Sequence, residues 1–219
     1  MCGQYNHAPN NCWSVEFCSP RQLVFIDFER AFDTLAHDAI WQALMEKRVP
    51  PKIISIIEAI YEQSTCNVLH KNLISEPIPV LDGVKQGCTL SPLLFNVTLD
   101  YVMSKVSRES EGIRWGIWSK LTDLDYADDI CLLTHSTQTM QKMLERLGKE
   151  SKKVGLKINV QKTKEMRIAV TNKEPLYIHN EIIERVTQFT YLGSIIDNTG
   201  ELTWTLKLVY ERPKQHLVH

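Results

Sequence analysis

Four aspartates, Asp123, Asp125, Asp128 and Asp129, fall within seven residues, and the sequence around them is apolar: Leu121, Leu124 and Tyr126 on one side, Ile130 to Leu133 on the other. A solvated acidic loop has no reason to be framed in this way. Carboxylates buried side by side repel one another and resist ionisation unless a positive charge sits between them. A divalent cation supplies that charge, and hard oxygen ligands at a tight turn suit Mg²⁺. The competing reading is a plain hairpin with Asp128 and Asp129 as turn residues. A further acid, Asp27, closes the apolar run Leu23-Val24-Phe25-Ile26. It reads either as a metal ligand or as the N-cap of the next helix. A strand-end Asp and a hairpin Asp-Asp are the minimum that holds two metal ions. Two ions about 3.5–4 Å apart stabilise both the attacking and the leaving oxygen in phosphoryl transfer.

Two more stretches could take part. In Gly83-Val84-Lys85-Gln86-Gly87-Cys88-Thr89-Leu90-Ser91-Pro92, the glycines let backbone approach a ligand and Lys85 and Gln86 bring donors. The helix N-terminus that follows offers amides suited to phosphate. Between Lys149 and Lys173 there are eight Lys/Arg (149, 152, 153, 157, 162, 164, 167, 173) and two acids (150, 165), a local excess of six positive charges. That stretch reads as a surface for a nucleic-acid backbone, or as an ordinary charged helix face and turn.

These groups need elements to hold them. Leu23–Ile26 has the branched and aromatic content of a buried strand. His37 to Arg48 is expected to be helical, with Ile40, Trp41, Leu44 and Met45 on one face. Pro51 suits the first turn of a second helix, whose apolar stripe is Ile53, Ile56, Ile57, Ile60 and Tyr61. Val68 to Val80 suggests short strands broken by polar turns, and Ser91-Pro92 opens an apolar helix to about Val106. Leu121 to Leu133 reads as a hairpin about Ala127-Asp128-Asp129. Met140, Met143, Leu144, Leu147 and Val154 mark a further helix that Gly155 terminates. Short strands are expected at Leu156–Ile158, Lys164–Val170, Leu176–Ile178 and Phe189–Ile196. The order predicts an α+β fold, one sheet with helices on one face.

Composition restricts the setting. The chain has 219 residues, 43% hydrophobic and 23% charged, with a net charge of −1. This is the balance of a globular protein with one sizeable core, and no apolar run is long enough to span a membrane. Met1 to Asn10 lacks the apolar centre of a secretory signal. The six cysteines form no C-x-x-C pair, which argues against a zinc site or a disulfide framework and for a reducing, intracellular location, cytoplasmic or nuclear.

The motifs carry a resemblance. Phe25–Asp33 resembles the first catalytic motif of reverse transcriptases from non-LTR (LINE-type) retrotransposons. Gly83–Phe95 resembles their nucleotide loop, and Tyr126-Ala127-Asp128-Asp129 their Y/F-A-D-D hairpin. Gly155-Leu156-Lys157-Ile158-Asn159 with Lys162-Thr163-Lys164 resembles the motif after the hairpin, and Tyr191-Leu192-Gly193 the primer-grip strand. The five occur in family order from residue 21 to about 200. The resemblance implies an α+β polymerase palm, an antiparallel sheet with helices packed on one face and part of the fingers. The activity implied is RNA-directed DNA synthesis by two-metal nucleotidyl transfer. Asp27, Asp128 and Asp129 would be the catalytic, metal-holding triad for two Mg²⁺ (or Mn²⁺) ions. Phe28, Gln86 and Gly87 would line the incoming nucleotide, and Phe32 would be the steric gate against a ribonucleotide 2′-OH. An ordinary core Phe is the alternative for Phe32. Lys162 matches a basic residue near the phosphates, the acid that protonates pyrophosphate, with a solvated lysine as the alternative. Tyr191, Leu192 and Gly193 would steady the primer. The implied partners are an RNA template, a DNA primer and deoxynucleoside triphosphates, without a membrane.

The sequence also departs from the family. Only an irregular arm, residues 1–20, precedes the first motif, where basic finger segments are expected, and no thumb or endonuclease follows. Glu201 to His219 loses the family pattern. Trp has a single codon, so reading Thr203-Trp204-Thr205 from each third base puts Met, Leu or Val before Asp. With suitable synonymous codons, residues 202–216 become a D-M-D-I-K-A-R-I-R-K-A-K-A-A-like basic helical run. That is what the family has next, so residues 201–219 read as an out-of-frame tail of a decaying element. A fragment of this kind is expected to be inactive alone. Two alternatives stand beside it: an inert remnant that binds nucleic acid weakly, and a palm-type nucleotide cyclase. The Gln86-Gly87 loop leading into a helix disfavours the second.

Overall fold

The computed structural model describes residues 21–107, 111–115 and 119–198, so the arm over 1–20 and the tail over 201–219 lie outside the described residues. Strand β1 (Arg21–Ile26) is the centre of the sheet, buried on both faces as its apolar run predicts. Helices α1 (Ala31–Thr34), α2 (His37–Glu46) and α3 (Pro51–Glu62) follow it. Two small ribbons come next: β2 (Thr65–Cys66) pairs with β5 (Ile78–Pro79), and β3 (Leu69–His70) with β4 (Leu73–Ile74). Helix α4 (Ser91–Val106) leads to the ribbon of β6 (Ile113–Trp115) and β7 (Ser119–Leu121). The hairpin β8 (Asp123–Tyr126) and β9 (Asp129–Thr134) precedes α5 (Thr137–Lys153). The chain then runs through β10 (Lys164–Ile168), β11 (Tyr177–Ile178), β12 (Glu181–Ile182), β13 (Glu184–Arg185), β14 (Gln188–Tyr191) and β15 (Ser194–Asp197).

The main sheet has the order β13-β10-β1-β9-β8, antiparallel except where β13 pairs with β10. Alternation along β1 and β9 sends Val24, Ile26, Ile130 and Leu132 into a large core under the helices. Leu23, Phe25, Cys131 and Leu133 point the other way, into a small core closed by Met166, Ile113 and Tyr191. Helices thus pack on one face, and hairpins cover part of the other. Ser136 caps α5 by accepting from the Thr139 amide. Gly155, at φ +83°, ends that helix: its amide bonds to Lys152 O and that of Leu156 to Ser151 O, a Schellman closure.

Three local expectations are corrected. The buried stripe of α3 is Ile54, Ile57 and Tyr61, while Ile53, Ile56 and Ile60 are exposed. Both faces of this helix are apolar, so periodicity alone could not choose between them. Met45 of α2 is exposed too. Leu156–Ile158 is no strand; it makes only an isolated bridge, Phe28 to Ile158.

Candidate active site

Asp27 leaves the sheet at the end of β1, and the segment after α5 fastens it there. The Asn159 amide donates to the Asp27 carbonyl at 2.8 Å, and the Asp27 amide donates to Thr163 Oγ1 at 3.4 Å. Lys162 Nζ lies 3.7 Å from Asp27 Oδ1, within ion-pair range but beyond a hydrogen bond. That oxygen is withdrawn from water and has no hydrogen-bond partner. Burial raises the Asp27 carboxyl above its ordinary range, Lys162 opposes the shift, and the charge of Asp128 adds to it.

Ile26 faces Ile130 on the last rung between β1 and β9. Asp27 and Asp129 therefore stand one residue further on neighbouring strands, with the parity of Phe25 and Cys131. Ala127 and Asp128 make the two-residue turn between Tyr126 and Asp129, and Ala127 takes φ +54°. A left-handed alanine costs free energy and persists only where its surroundings impose it. The Asp129 carboxyl is raised by burial, then by Asp128, then by Asp27. The three acids thus act on one another electrostatically. Among the described residues no three His, Cys, Asp or Glu side chains are already gathered to grip one ion. The donor set still suits a hard cation: an anionic oxygen lacking both water and a donor gains from a cation beside it.

The acids are less enclosed than their neighbours suggested. β8 is an edge strand, so Leu124 and Tyr126 are exposed, Tyr126 to 67%, and Asp128 and Asp129 are open to solvent. Asp123 and Asp125 take the opposite parity, toward the helices. Asp125 is exposed as a residue, yet partial desolvation of its carboxyl, with the charges of Asp123 and Asp100, pushes it up to about 7.

The Gly83–Thr89 loop lies against the segment after Asp27. The Gly83 amide donates to Leu35 O and that of Val84 to Phe32 O, each at 2.7 Å. At Gly83, φ +82°, a Cβ would sit 2.6 Å from Asp33 O, so only glycine fits. Gln86 Nε2 donates to Asp33 Oδ1 at 3.1 Å, and Gly87 lies in open space. Phe32 is half-buried and stacks on Phe95 with centroids 4.5 Å apart. Phe28 is 5% exposed, with its side chain in the large core.

Tyr191, 8% exposed, lies beneath the β8–β9 hairpin, in the small core beside Phe25. Its hydroxyl is 3.0 Å from Leu124 O and 3.2 Å from Asp129 O, one proton serving both strands of the hairpin. Burial pushes this phenol well above its ordinary range. Leu192 and Gly193, at φ +49° and +78°, form the exposed turn between β14 and β15.

The reverse transcriptase (RNA-dependent DNA polymerase) family model matches residues 14–196. The chain belongs to this family. A retrovirus-related Pol polyprotein from the type-1 retrotransposable element R2 of Nasonia vitripennis is 29% identical over 192 residues, covering 82% of this chain and 18% of that protein. The probable RNA-directed DNA polymerase from transposon BS of Drosophila melanogaster is 28% identical, over 91% of this chain and 23% of its own length. The chain therefore spans about a fifth of these relatives. The structure of apo telomerase from Candida tropicalis, truncated from its C-terminal domain, matches with TM-score 0.61 and 18% identity over 82% of this chain and 34% of that one. At that identity the likeness is one of fold, and it agrees with the palm expected from the motifs.

Much of the basic stretch after Lys149 is ion-paired. Lys153 pairs with Glu150, Lys157 with Glu29, Lys162 with Asp27 and Lys164 with Glu184. Arg167 is buried and pairs with Glu165, which Arg185 also contacts. Counting charges along the chain missed these partners because most lie far away in sequence. It also missed Tyr191 as a support of the hairpin; the only available signal was the alternation that puts Phe189 and Tyr191 on one side of β14.

Proposed function

We propose that this chain is the palm of an RNA-templated DNA polymerase of retrotransposon origin, adding deoxynucleotides to a DNA primer. One observation carries the reading: the water-excluded Oδ1 of Asp27, without a hydrogen-bond donor and with only Lys162 at ion-pair distance, beside the Asp128-Asp129 turn. Asp27, Asp128 and Asp129 would hold two Mg²⁺ (or Mn²⁺) ions, which supply charge neutralisation at the attacking and leaving oxygens. The primer 3′-hydroxyl loses its proton to solvent and attacks the α-phosphorus of the incoming triphosphate; the bond from that phosphorus to the bridging oxygen breaks and pyrophosphate departs. Lys162 is assigned to the triphosphate end, where it donates a proton to the leaving group. Gln86, Gly87 and the backbone near Phe28 line the nucleotide, and Phe32 acts as gate against a 2′-OH. The Leu192-Gly193 turn steadies the primer, with Tyr191 supporting it from below. The setting proposed is intracellular, supported by the unpaired Cys66, Cys88 and Cys131.

The isolated chain will not extend a primer. Phosphoryl transfer depends on positioning and charge neutralisation. A palm with net charge −1, with five of the eight basic residues between 149 and 173 ion-paired, holds no duplex in register. Primer extension on poly-rA with oligo-dT and Mg²⁺ checks this. No product is expected from the chain alone; product abolished by Asp128→Ala would show that the palm positions both strands unaided. An inert remnant is the second reading, favoured by the lack of a gathered ligand cluster among the described residues. It predicts no response to Mn²⁺ in folding stability.

A further inference from the structure

The turn of the β11–β12 hairpin rests on the outer face of α5. His179 and Asn180 form that turn, both with positive φ (+50° and +67°), and the His179 ring lies over Gly148. A Cβ at Gly148 would touch the ring at 3.4 Å. Glycine inside a helix costs about 1 kcal/mol relative to alanine; here it keeps the floor between helix and hairpin clear. Gln141 fixes the hairpin to the helix, accepting from the Tyr177 amide at 3.0 Å and donating to the Tyr177 carbonyl at 3.1 Å. The result is a groove of about 400 Å³ between the two elements.

The walls are what a nucleic-acid strand needs. Lys149 and Lys152, one turn apart on α5, both line the groove, and neither has a carboxylate within ion-pair range among the described residues. They differ in this from Lys153, Lys157, Lys162 and Lys164. Tyr177 is held at its backbone by Gln141 and is 41% exposed beside the lysines. The one acid in the lining, Glu145, accepts from Gln141 Nε2 at 3.1 Å. Two unpaired lysines beside an exposed aromatic ring make a phosphate contact with a stacking platform. An acidic peptide would use the lysines and leave the ring without a role.

We infer that this groove binds a segment of single-stranded nucleic acid, phosphates against Lys149 and Lys152 and a base against Tyr177. The groove is separate from the candidate active site. α5 packs on the helix face of the sheet, whereas Asp27 and Asp129 have the parity of the opposite face. A strand held here is therefore not the one being extended.

The test is fluorescence anisotropy on the whole chain with labelled oligo(U) and oligo(dT) of about 12 nucleotides. EDTA is present throughout, so that binding does not depend on metal at the acids. Binding at about 50 mM salt that weakens steeply toward 200 mM is expected. Lys149→Gln with Lys152→Gln should weaken it at least about tenfold and reduce the salt slope by about 1.4, the share of two single-strand phosphate contacts. Tyr177→Ala should weaken it about tenfold while leaving the slope unchanged. Lys52→Gln, an exposed lysine on α3, should do neither. Preference between the two oligonucleotides tells RNA from DNA. No binding at low salt, equal binding by the double lysine variant with an unchanged melting temperature, or displacement by poly-glutamate as readily as by oligo(U) would each overturn the inference. None of these outcomes bears on the metal-holding role of Asp27 and Asp128.

Discussion

The two faces of β1 and β9 differ in how deeply they are covered. Beneath the helices, Val24, Ile26, Ile130 and Leu132 join a core that runs from α2 to α5. On the other face, Leu23, Phe25, Cys131 and Leu133 meet a thin layer ending at Tyr191 and Ile113. The alternation of the thin face, continued one residue past the last rung, sets the positions of Asp27 and Asp129. One face buries the strands deeply; the other leaves the Asp128-Asp129 end open to solvent. Strand parity serves both because consecutive side chains point to opposite sides.

The largest test of this contrast is a pair of truncations on one strand. Leu132→Ala, in the deep core, should cost about 3–4 kcal/mol, and Leu133→Ala, in the thin layer, about 2 kcal/mol, read by urea denaturation. Equal losses would erase the distinction. The deep face also carries a polar corner, where buried Glu165 meets Arg167 and Arg185. Arg167→Met removes one partner of a buried carboxylate and should cost about 3 kcal/mol. A neutral outcome would mean that Arg185 alone satisfies Glu165. On the thin face, Tyr191→Phe removes only the tie to the Leu124 and Asp129 carbonyls, and a loss of about 1 kcal/mol is expected. No loss at all would show that the hairpin holds itself.

A separate effect is one of pH. The Asp125 carboxyl is raised from 3.8 to about 7 in the fold, so the native state binds the proton more tightly than the unfolded chain. Its contribution to stability is fully present below about pH 4 and is lost as pH rises toward 7. Melting temperatures of Asp125→Asn should be flatter than wild type across that window; parallel curves would place Asp125 in ordinary solvent.

Much of this was legible in the sequence, for identifiable reasons. The run Leu23–Ile26 could only be a buried strand, Pro51 and Ser91-Pro92 open helices where expected, and Gly155 closes α5. The register places Asp27 and Asp129 one residue past the Ile26–Ile130 rung on neighbouring strands. What stayed hidden depends on distant partners. Ile54 displaced Ile53 in the core because a helix with isoleucines on both faces leaves rotation to its neighbours. The exposure of the Asp125 strand is not legible locally, because an edge strand and a central one can share a composition. The pairing of Lys157 with Glu29 and the hold of Tyr191 on Asp129 join residues 128 and 62 positions apart, beyond any local pattern.

The most direct test of the account is thermal unfolding of the chain with and without Mn²⁺, for wild type and Asp128→Asn. Binding to the native state alone stabilises by RT ln(1 + [L]/Kd), about 2.7 kcal/mol at a hundredfold excess over Kd. Wild type should gain melting temperature with Mn²⁺. Asp128→Asn should lose that gain and melt higher than wild type in EDTA, because one of the mutually repelling charges is gone. An equal response to Mn²⁺ in both proteins, or none in wild type, would contradict the claim that the open strand ends form a metal-holding site.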